Sequence, residues 1–219
     1  MTKVKVLFLD RDGTIIYDKL GGYISTLEQV SMLPRADDGI ALAKSAGYKI
    51  VIITNQAGIA KGIVTEPRVI EINEYMQRML REKNAEYDLI YYSPYHPHYP
   101  KPEFEKFALW RKPETGMVDE AIKDLAAEGF EVDRSQSYFI GDKQVDVACG
   151  INAGLHPILV LTGYAEQSQC ILRQTPPEYI APDLYDAIAN YILAKDVLAK
   201  DAPVSHAAAD TTGGAAMQP

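Results

Sequence analysis

The chain has 219 residues, of which 47% are apolar and 24% charged, and its formal net charge is -8. This length suits one α/β domain with a tail and is short for two domains. The acidic balance argues against nucleic acid as a partner, because phosphate backbones are held chiefly by Lys and Arg. A small phosphate ester needs only a locally positive pocket, so the acidic net charge does not exclude it as a substrate.

The two cysteines, Cys149 and Cys170, form neither a CxxC pair nor a dense framework. A disulfide scaffold is therefore not expected, and a reducing compartment fits. The N-terminal apolar run is short and stops at a charged residue, which indicates a strand and not a signal peptide or membrane span. We expect a cytoplasmic monomer without a membrane partner.

Apolar runs alternate with amphipathic stretches along the chain. This alternation predicts an α/β fold, a three-layer doubly wound and mainly parallel sheet with helices on both faces. In such a sheet ligands bind at the carboxyl ends of the strands, so the residues after each strand are candidates for chemistry. The expected strands are 4–9, 48–54, 87–92, 137–140 and 157–161, and the expected helices are 34–47, 66–84 and 117–129.

Two stretches break this alternation. Residues 91–111 contain four prolines and several aromatic residues, which predicts a long ordered loop without a regular element. Residues 199–219 lack aromatic and large aliphatic side chains over most of their length, which predicts a flexible tail. We therefore expect a single domain over residues 1–198.

The first polar cluster is Asp10-Arg11-Asp12-Gly13-Thr14, directly after the first predicted strand. Both carboxylates can face one site only where the chain leaves the strand, and Gly13 allows such a turn. Their repulsion favours a shared cation. Taken alone, the two acids fit a solvated turn about as well.

Two further clusters combine hydroxyl, amide and basic groups. Thr54-Asn55-Gln56 follows the second strand, where a hydroxyl and backbone N–H groups can cradle a phosphoryl oxygen. The same residue types are also typical of a helix cap. Arg111-Lys112 ends the irregular loop, and a Lys there could offset phosphoryl charge, although most Lys and Arg are solvated surface residues.

The fourth cluster runs from Gly141-Asp142-Lys143 to Asp146, after the strand at 137–140. Two acids four positions apart at a helix start could hold a metal. The alternative is a capped helix with a favourable acid in its first turn.

These four strings, in this order, resemble the motifs of the haloacid dehalogenase superfamily, whose first motif is an apolar strand followed by DxDGT. The resemblance implies that Asp10 is a nucleophile that forms an aspartyl-phosphate, while Asp12 is the general acid and base. It further implies that Thr54 and Lys112 bind the phosphoryl group. Asp10, the backbone carbonyl of Asp12, and Asp142 would bind Mg²⁺.

Only 44 positions separate Asp10 from Thr54, which leaves room for a helix and a turn but no inserted cap domain. The strings at 22–24, 54–62, 111–117 and 140–146 resemble the capless branch, which contains the heptose bisphosphate and histidinol-phosphate phosphatases. That branch implies hydrolysis of a small phosphate monoester, with a sugar bisphosphate such as D-glycero-D-manno-heptose 1,7-bisphosphate favoured and histidinol phosphate as the alternative. A non-catalytic phosphate-binding relative is a third possibility, which the presence of both acids disfavours.

The same branch implies roles for the residues around the phosphate. Arg111 would select the second charged group of the substrate, and Lys143 would lie beside the phosphate. Asn55 and Gln56 would also bind substrate, with Lys61 at the opening.

Members of this branch usually carry a structural zinc in the loop before the Arg-Lys-Pro string. The expected thiolates are absent here, since the loop reads Ser93-Pro94-Tyr95-His96-Pro97. Histidines alone cannot complete a four-ligand site, so we expect no structural zinc. The loop must then be ordered by packing of its aromatic side chains.

Overall fold

The computed structural model describes residues 1–18 and 21–201. Its strands form one sheet in the order β3-β2-β1-β5-β6-β7, with β4 beside the first residues of β1, and every pair is parallel. The strands are β1 (Thr2–Leu9), β2 (Tyr48–Asn55), β3 (Leu89–Ser93), β4 (Phe130–Val132), β5 (Tyr138–Gly141), β6 (His156–Val160) and β7 (Tyr179–Ala181).

The central strand is buried on both sides. Leu7 and Leu9 belong to one apolar core, whereas Val6 and Phe8 belong to the other, and all four are fully buried. Successive side chains of a strand point to opposite faces, so a strand that is apolar throughout requires cover on both.

Helices supply this cover in two layers. One face of the sheet carries α1 (Ala36–Ser45), α2 (Glu66–Arg81) and a continuous C-terminal helical run, and the other carries α3 (Gly116–Ala127) and α4 (Gln144–Asn152). The short α5 (Gln167–Leu172) packs beside α4, and the C-terminal run consists of α6 (Leu184–Asp186), a π-helical segment (Ala187–Ile192) and α7 (Leu193–Asp201).

The predicted three-layer parallel architecture is confirmed. Within the described residues, the connection from β1 to β2 holds only a short 3₁₀ turn (Leu27–Gln29) and α1, which agrees with the absence of a cap domain. The strands β4 and β7 were not predicted, because three residues are too few to establish an alternating pattern. No helix in the part of the chain that the structure covers is long and apolar enough to cross a membrane.

One of the predicted boundaries needs correction. The stretch 91–111 is more regular than expected, because β3 extends to Ser93 and Pro102–Trp110 is a 3₁₀ helix. Proline is well tolerated in a first helical turn, so Pro102 begins an element here and does not exclude one. The helix α7 continues to Asp201, and the rest of the predicted tail, residues 202–219, lies outside the described residues, so the tail stays a prediction.

Aromatic packing holds this 3₁₀ segment against the sheet. The ring of Trp110 lies edge-on to Tyr91 at 6.0 Å and to Phe107 at 5.2 Å between centroids. The Ser93 hydroxyl donates to the Phe107 carbonyl at 3.3 Å. A Cβ on Gly116 would lie 2.5 Å from the carbonyl oxygen of the residue that precedes Trp110, so the contact requires glycine.

We therefore predict that Trp110→Ala lowers the free energy of unfolding by about 2–4 kcal/mol, since it removes a large, partly buried aromatic side chain. Denaturant unfolding measures this change. Leu109→Ala is the matched control, because Leu109 is 71% exposed and its loss should cost less than about 0.5 kcal/mol. Equal losses in both variants would contradict the assigned packing.

Candidate active site

Three neighbouring strands bring the first, second and fourth clusters together. Leu9 is in register with Ile52 of β2 and with Ile140 of β5. The residue after Leu9, Asp10, donates its backbone N–H to the Ile140 carbonyl at 2.9 Å. The carboxyl ends of β1, β2 and β5 therefore meet at one edge of the sheet, where ligands of doubly wound folds bind.

Three buried carboxylates converge at this edge. Oxygen atoms of Asp10, Asp142 and Asp146 all lie within 4.8 Å of one another. One oxygen of Asp142 accepts a hydrogen bond from the Tyr164 backbone N–H at 2.7 Å, while the other is buried without a hydrogen-bond partner. Clustered carboxylate oxygens, one of them without a donor, are the ligands that Mg²⁺ prefers, so these residues fit the ion.

A glycine keeps the chain close to this cluster. Gly13 has a φ of +85°, and a Cβ there would lie 2.6 Å from a carboxylate oxygen of Asp142. The turn after β1 therefore needs a residue that adopts positive φ and has no side chain.

The environment opposes ionisation of two of these acids in the metal-free protein. Burial, together with the neighbouring Asp146 carboxylate, raises the pKa of Asp10. Burial raises the pKa of Asp142 to about 8. A bound divalent cation would reverse this preference, because it stabilises the charged forms that a nucleophile and a metal ligand need.

Lys112 supplies a fixed positive charge within the cluster. Its Nζ lies 2.8 Å from Asp10, 2.7 Å from Asp146 and 2.8 Å from the Ile53 carbonyl oxygen. Burial by itself would lower the pKa of Lys112, but Asp10 and Asp146 outweigh it and raise that pKa above its usual value. The ammonium group therefore stays charged beside the predicted nucleophile.

The side chain of Asn55 is used to position Lys112. Its Nδ2 donates to the Lys112 carbonyl at 3.2 Å, and its Oδ1 accepts the Lys112 N–H at 3.0 Å. A long-range pairing of this kind leaves no signal in the sequence. Asn55 also lines both cavities, so its predicted contact with substrate stays a prediction.

Asp12 lies slightly apart from the carboxylate cluster, in a network of its own. The Gln56 amide donates to Asp12 at 2.8 Å and to the Thr54 hydroxyl at 2.9 Å. Burial alone would raise the pKa of Asp12, but the charge and hydrogen bonds of the Arg11 guanidinium lower it. The predicted metal contact through the Asp12 backbone carbonyl stays a prediction.

The site consists of two connected cavities. The inner cavity, about 40 Å³, is lined by Asp10, Asp12, Thr54, Asn55, Lys112, Lys143, Val145 and Asp146. The outer cavity, about 270 Å³, is bordered by the predicted residues Asp12, Asn55, Gln56, Arg111 and Lys143 and, among others, by the unpredicted Arg11, Asp18, Tyr23, Val145, Tyr164 and Glu166. Asp12, Asn55, Lys143 and Val145 line both cavities, so they lie at the junction.

The basic residues of the outer cavity have identifiable partners. The Lys143 Nζ lies 2.9 Å from Asp18, and the Arg111 guanidinium donates to the Tyr95 carbonyl at 3.3 Å. Burial lowers the pKa of Arg111. Lys61 lies over the ring of Tyr23, which borders this cavity, and its predicted place at the opening stays a prediction.

Asp146 was missing from the ligand set that the family resemblance implied. Its spacing from Asp142 indicated a metal-holding pair, but the same acid also suited a helix cap. One oxygen accepts the Lys143 backbone N–H at 3.0 Å, as at a helix start, and the other lies 2.7 Å from Lys112 Nζ. Its place in the carboxylate cluster fits a metal ligand, and that role stays a prediction.

Comparison with known proteins agrees with this geometry. A family model described as HAD-hydrolase-like matches residues 109–187. The D-glycero-D-manno-heptose-1,7-bisphosphate 7-phosphatase of Chlorobaculum tepidum is 53% identical over 195 residues, which cover 89% of this chain and 98% of the relative. The chain therefore belongs to the haloacid dehalogenase-like phosphatases, enzymes that hydrolyse phosphate esters.

Several of the similar proteins carry the name of heptose bisphosphate phosphatases. The D-glycero-beta-D-manno-heptose-1,7-bisphosphate 7-phosphatase of Haemophilus influenzae is 37% identical over 73% of this chain and 83% of its own length. A crystal structure of D,D-heptose 1,7-bisphosphate phosphatase from B. bronchiseptica, in complex with magnesium and phosphate, has a TM-score of 0.72 and 25% identity, and the match covers 90% of this chain and 99% of that one.

We predict that Asp10→Asn reduces kcat by at least about 10⁴-fold, because an amide cannot replace the attacking carboxylate. Steady-state turnover with saturating Mg²⁺ measures this, and circular dichroism checks the fold. Asp38→Asn, an exposed acid on α1, is the matched control and should keep full activity. Substantial turnover by the Asp10 variant would exclude Asp10 as the nucleophile.

A second prediction concerns the pH dependence of the metal-free protein. The pKa of Asp142 is about 8 in the folded state and about 4 in an unfolded chain, so between these values the folded state holds a proton that the unfolded state has lost. Metal-free stability should therefore fall as pH rises through this window. Asp142→Asn removes the effect, and in EDTA at pH 8 its Tm should exceed that of the wild type by at least about 2–4 °C.

The difference should shrink at pH 5, where Asp142 is protonated in the wild type. Added Mg²⁺ should raise the Tm of the wild type at pH 8 and leave that of the variant nearly unchanged. A variant that melts below the wild type in EDTA at pH 8 would show that Asp142 is not held in an unfavourable site.

Proposed function

We propose that this enzyme hydrolyses D-glycero-D-manno-heptose 1,7-bisphosphate in a Mg²⁺-dependent reaction that releases the phosphate at C7. The observation that carries the proposal is the pair of connected cavities. The inner one presents the nucleophile Asp10 and the cation Lys112, and the outer one presents further basic groups. The names of the similar proteins support the choice of sugar and of position.

In the first step, an oxygen of Asp10 attacks the phosphorus atom as the bond from phosphorus to the ester oxygen breaks. Asp12 donates its proton to the departing oxygen, so the product is a neutral alcohol. The ester oxygen would lie at the junction of the cavities, where Asp12 is placed. The phosphoryl group is then bound covalently to Asp10.

In the second step, Asp12 accepts a proton from water as the water oxygen attacks phosphorus and the bond to Asp10 breaks. Lys112 and the Thr54 hydroxyl bind the phosphoryl oxygens through both steps. Asp10, Asp142 and the Asp12 carbonyl would hold Mg²⁺, with Asp146 beside them. When bound, the ion neutralises phosphoryl charge and keeps Asp10 ionised.

The outer cavity supplies groups suited to the rest of a sugar bisphosphate. Arg111 and Lys143 are cations that can receive a second phosphate, and Arg111 offers planar bidentate donors. Asp18 and Glu166 add carboxylates that can accept hydrogen bonds from sugar hydroxyls. Histidinol phosphate, whose amine is positive, is less well matched to Arg111.

We further infer a cytoplasmic monomer that acts on a small metabolite and binds neither nucleic acid nor a structural zinc. The net charge of -8 and the two buried, unpaired cysteines support this inference. Elemental analysis of the purified protein tests the absence of zinc directly.

The substrate is tested with a panel of heptose 1,7-bisphosphate in both anomers, heptose 7-phosphate, histidinol phosphate and common sugar phosphates. We expect the bisphosphate to have the highest kcat/KM, with phosphorus NMR showing that the remaining phosphate is at C1. Arg111→Ala should raise KM for the bisphosphate about 10–100-fold, as expected for loss of a charged hydrogen bond. It should change KM for the 7-phosphate much less, because that substrate lacks the second phosphate.

Arg173→Ala, which removes an exposed arginine after α5, is the control and should leave both KM values unchanged. A higher kcat/KM for histidinol phosphate than for either heptose bisphosphate would refute the proposed substrate.

A further inference from the structure

The residue between the two catalytic carboxylates is a buried arginine to which no role has yet been given. The side chain of Arg11 is only 1% exposed. A guanidinium removed from water is costly unless its donors are paired. The hydrogen-bond partners of the guanidinium therefore indicate the role of the buried side chain.

Three of the four hydrogen bonds of the guanidinium go to one carboxylate. Nε and Nη2 donate to Oδ1 of Asp12 at 3.2 and 2.9 Å, and Nη2 donates also to Oδ2 at 3.0 Å. A planar fork that engages both oxygens fixes the direction of a carboxylate and its rotation. Without it, the Asp12 side chain could turn away from the cavity junction.

The fourth hydrogen bond joins Arg11 to α2, a helix whose residues do not line the inner cavity. Nη1 donates to Oδ1 of Asn73 at 2.7 Å, and Asn73 is buried on α2. The Asn73 backbone carbonyl in turn accepts the Tyr87 hydroxyl at 3.2 Å. The orientation of Arg11 is thus set by packed secondary structure, while Gln56 holds Asp12 from the Thr54 side.

We propose that Arg11 is the positioning residue of the general acid, with Asn73 as its anchor. The clamp holds the Asp12 carboxyl at the junction of the two cavities, where the ester oxygen departs. Arg11 borders the outer cavity, but its side chain is 1% exposed and its guanidinium already donates to Asp12 and Asn73, so we assign its effect to Asp12 and not to contact with the substrate. This inference rests on the proposed function, in which Asp12 protonates the leaving oxygen.

A positioning role for Arg11 differs from a purely structural one because its effect depends on the leaving group of the substrate. A sugar alkoxide is a poor leaving group and needs the proton from Asp12 as its bond to phosphorus breaks. A p-nitrophenolate leaves readily without one. Misplacing Asp12 should therefore slow phosphoenzyme formation from a sugar phosphate and largely spare p-nitrophenyl phosphate, and kcat/KM reports this first step.

The test compares Arg11→Lys and Asn73→Ala with the wild type on its best sugar phosphate and on p-nitrophenyl phosphate. Lysine keeps the charge but cannot engage both carboxylate oxygens and Asn73 together. For Arg11→Lys we expect kcat/KM to fall about 10²-fold on the sugar phosphate, within the range of general acid catalysis, and less than about 3-fold on the aryl ester. Asn73→Ala should also lower kcat/KM more on the sugar phosphate than on the aryl ester, but by a smaller factor.

Arg68→Ala is the matched control, because it removes an exposed arginine from the first turn of α2. It should leave both values unchanged. In an Asp12→Asn background, Arg11→Lys should cause no further loss on the sugar phosphate, since its effect passes through Asp12. Melting curves confirm that each variant is folded. If Arg11→Lys does not fold, the comparison of the two substrates is made with Asn73→Ala alone.

Equal losses on the two substrates, or none on either, would overturn the positioning role while leaving the phosphatase proposal intact. A full further loss in the Asp12→Asn background would also overturn it. A wild-type enzyme that hydrolyses neither substrate would overturn the proposed function and this inference together.

Discussion

Repulsion among buried carboxylates is the constraint around which this site is built. The parallel sheet brings Asp10, Asp142 and Asp146 within a few ångströms of one another, where burial makes each charge costly. Lys112 offsets part of that charge through contacts with two of the three acids. The remaining excess of negative charge favours a divalent ion, and it adds to the burial that raises the pKa values of Asp10 and Asp142.

The same edge of the sheet keeps two acids in different states. Asp10 has no close guanidinium, and burial raises its pKa, whereas Arg11 lowers the pKa of Asp12 two positions later. In the proposed mechanism, Lys112 and a bound cation support the nucleophile, and Arg11 with Gln56 holds the acid. The pKa directions of the metal-free protein are the reverse of those that a nucleophile and a general acid need, so the cation and the negatively charged ester must reverse them when they bind.

Regions with strong local patterns were predictable, and regions that depend on distant contacts were not. The strands at 4–9 and 48–54 are apolar throughout, and they appear nearly as predicted in β1 and β2. The three-residue strands β4 and β7 owe their existence to pairing with β1 and β6. The aromatic residues of the 3₁₀ segment Pro102–Trp110 predicted that packing orders it, but its helical conformation depends on contacts with β3 that the composition does not specify.

The sequence by itself determined the fold class, the strand-end positions of Asp10, Thr54 and Asp142, and the family, because each depends on short-range order along the chain. Only the tertiary structure decided how the polar groups pair. It directed the Asn55 amide to the Lys112 backbone, brought Asp146 to Lys112, and joined Arg11 to Asn73 on α2. Those pairings join residues that are far apart in the sequence. Hydrogen bonding depends on distance and direction in space, which residue spacing does not specify.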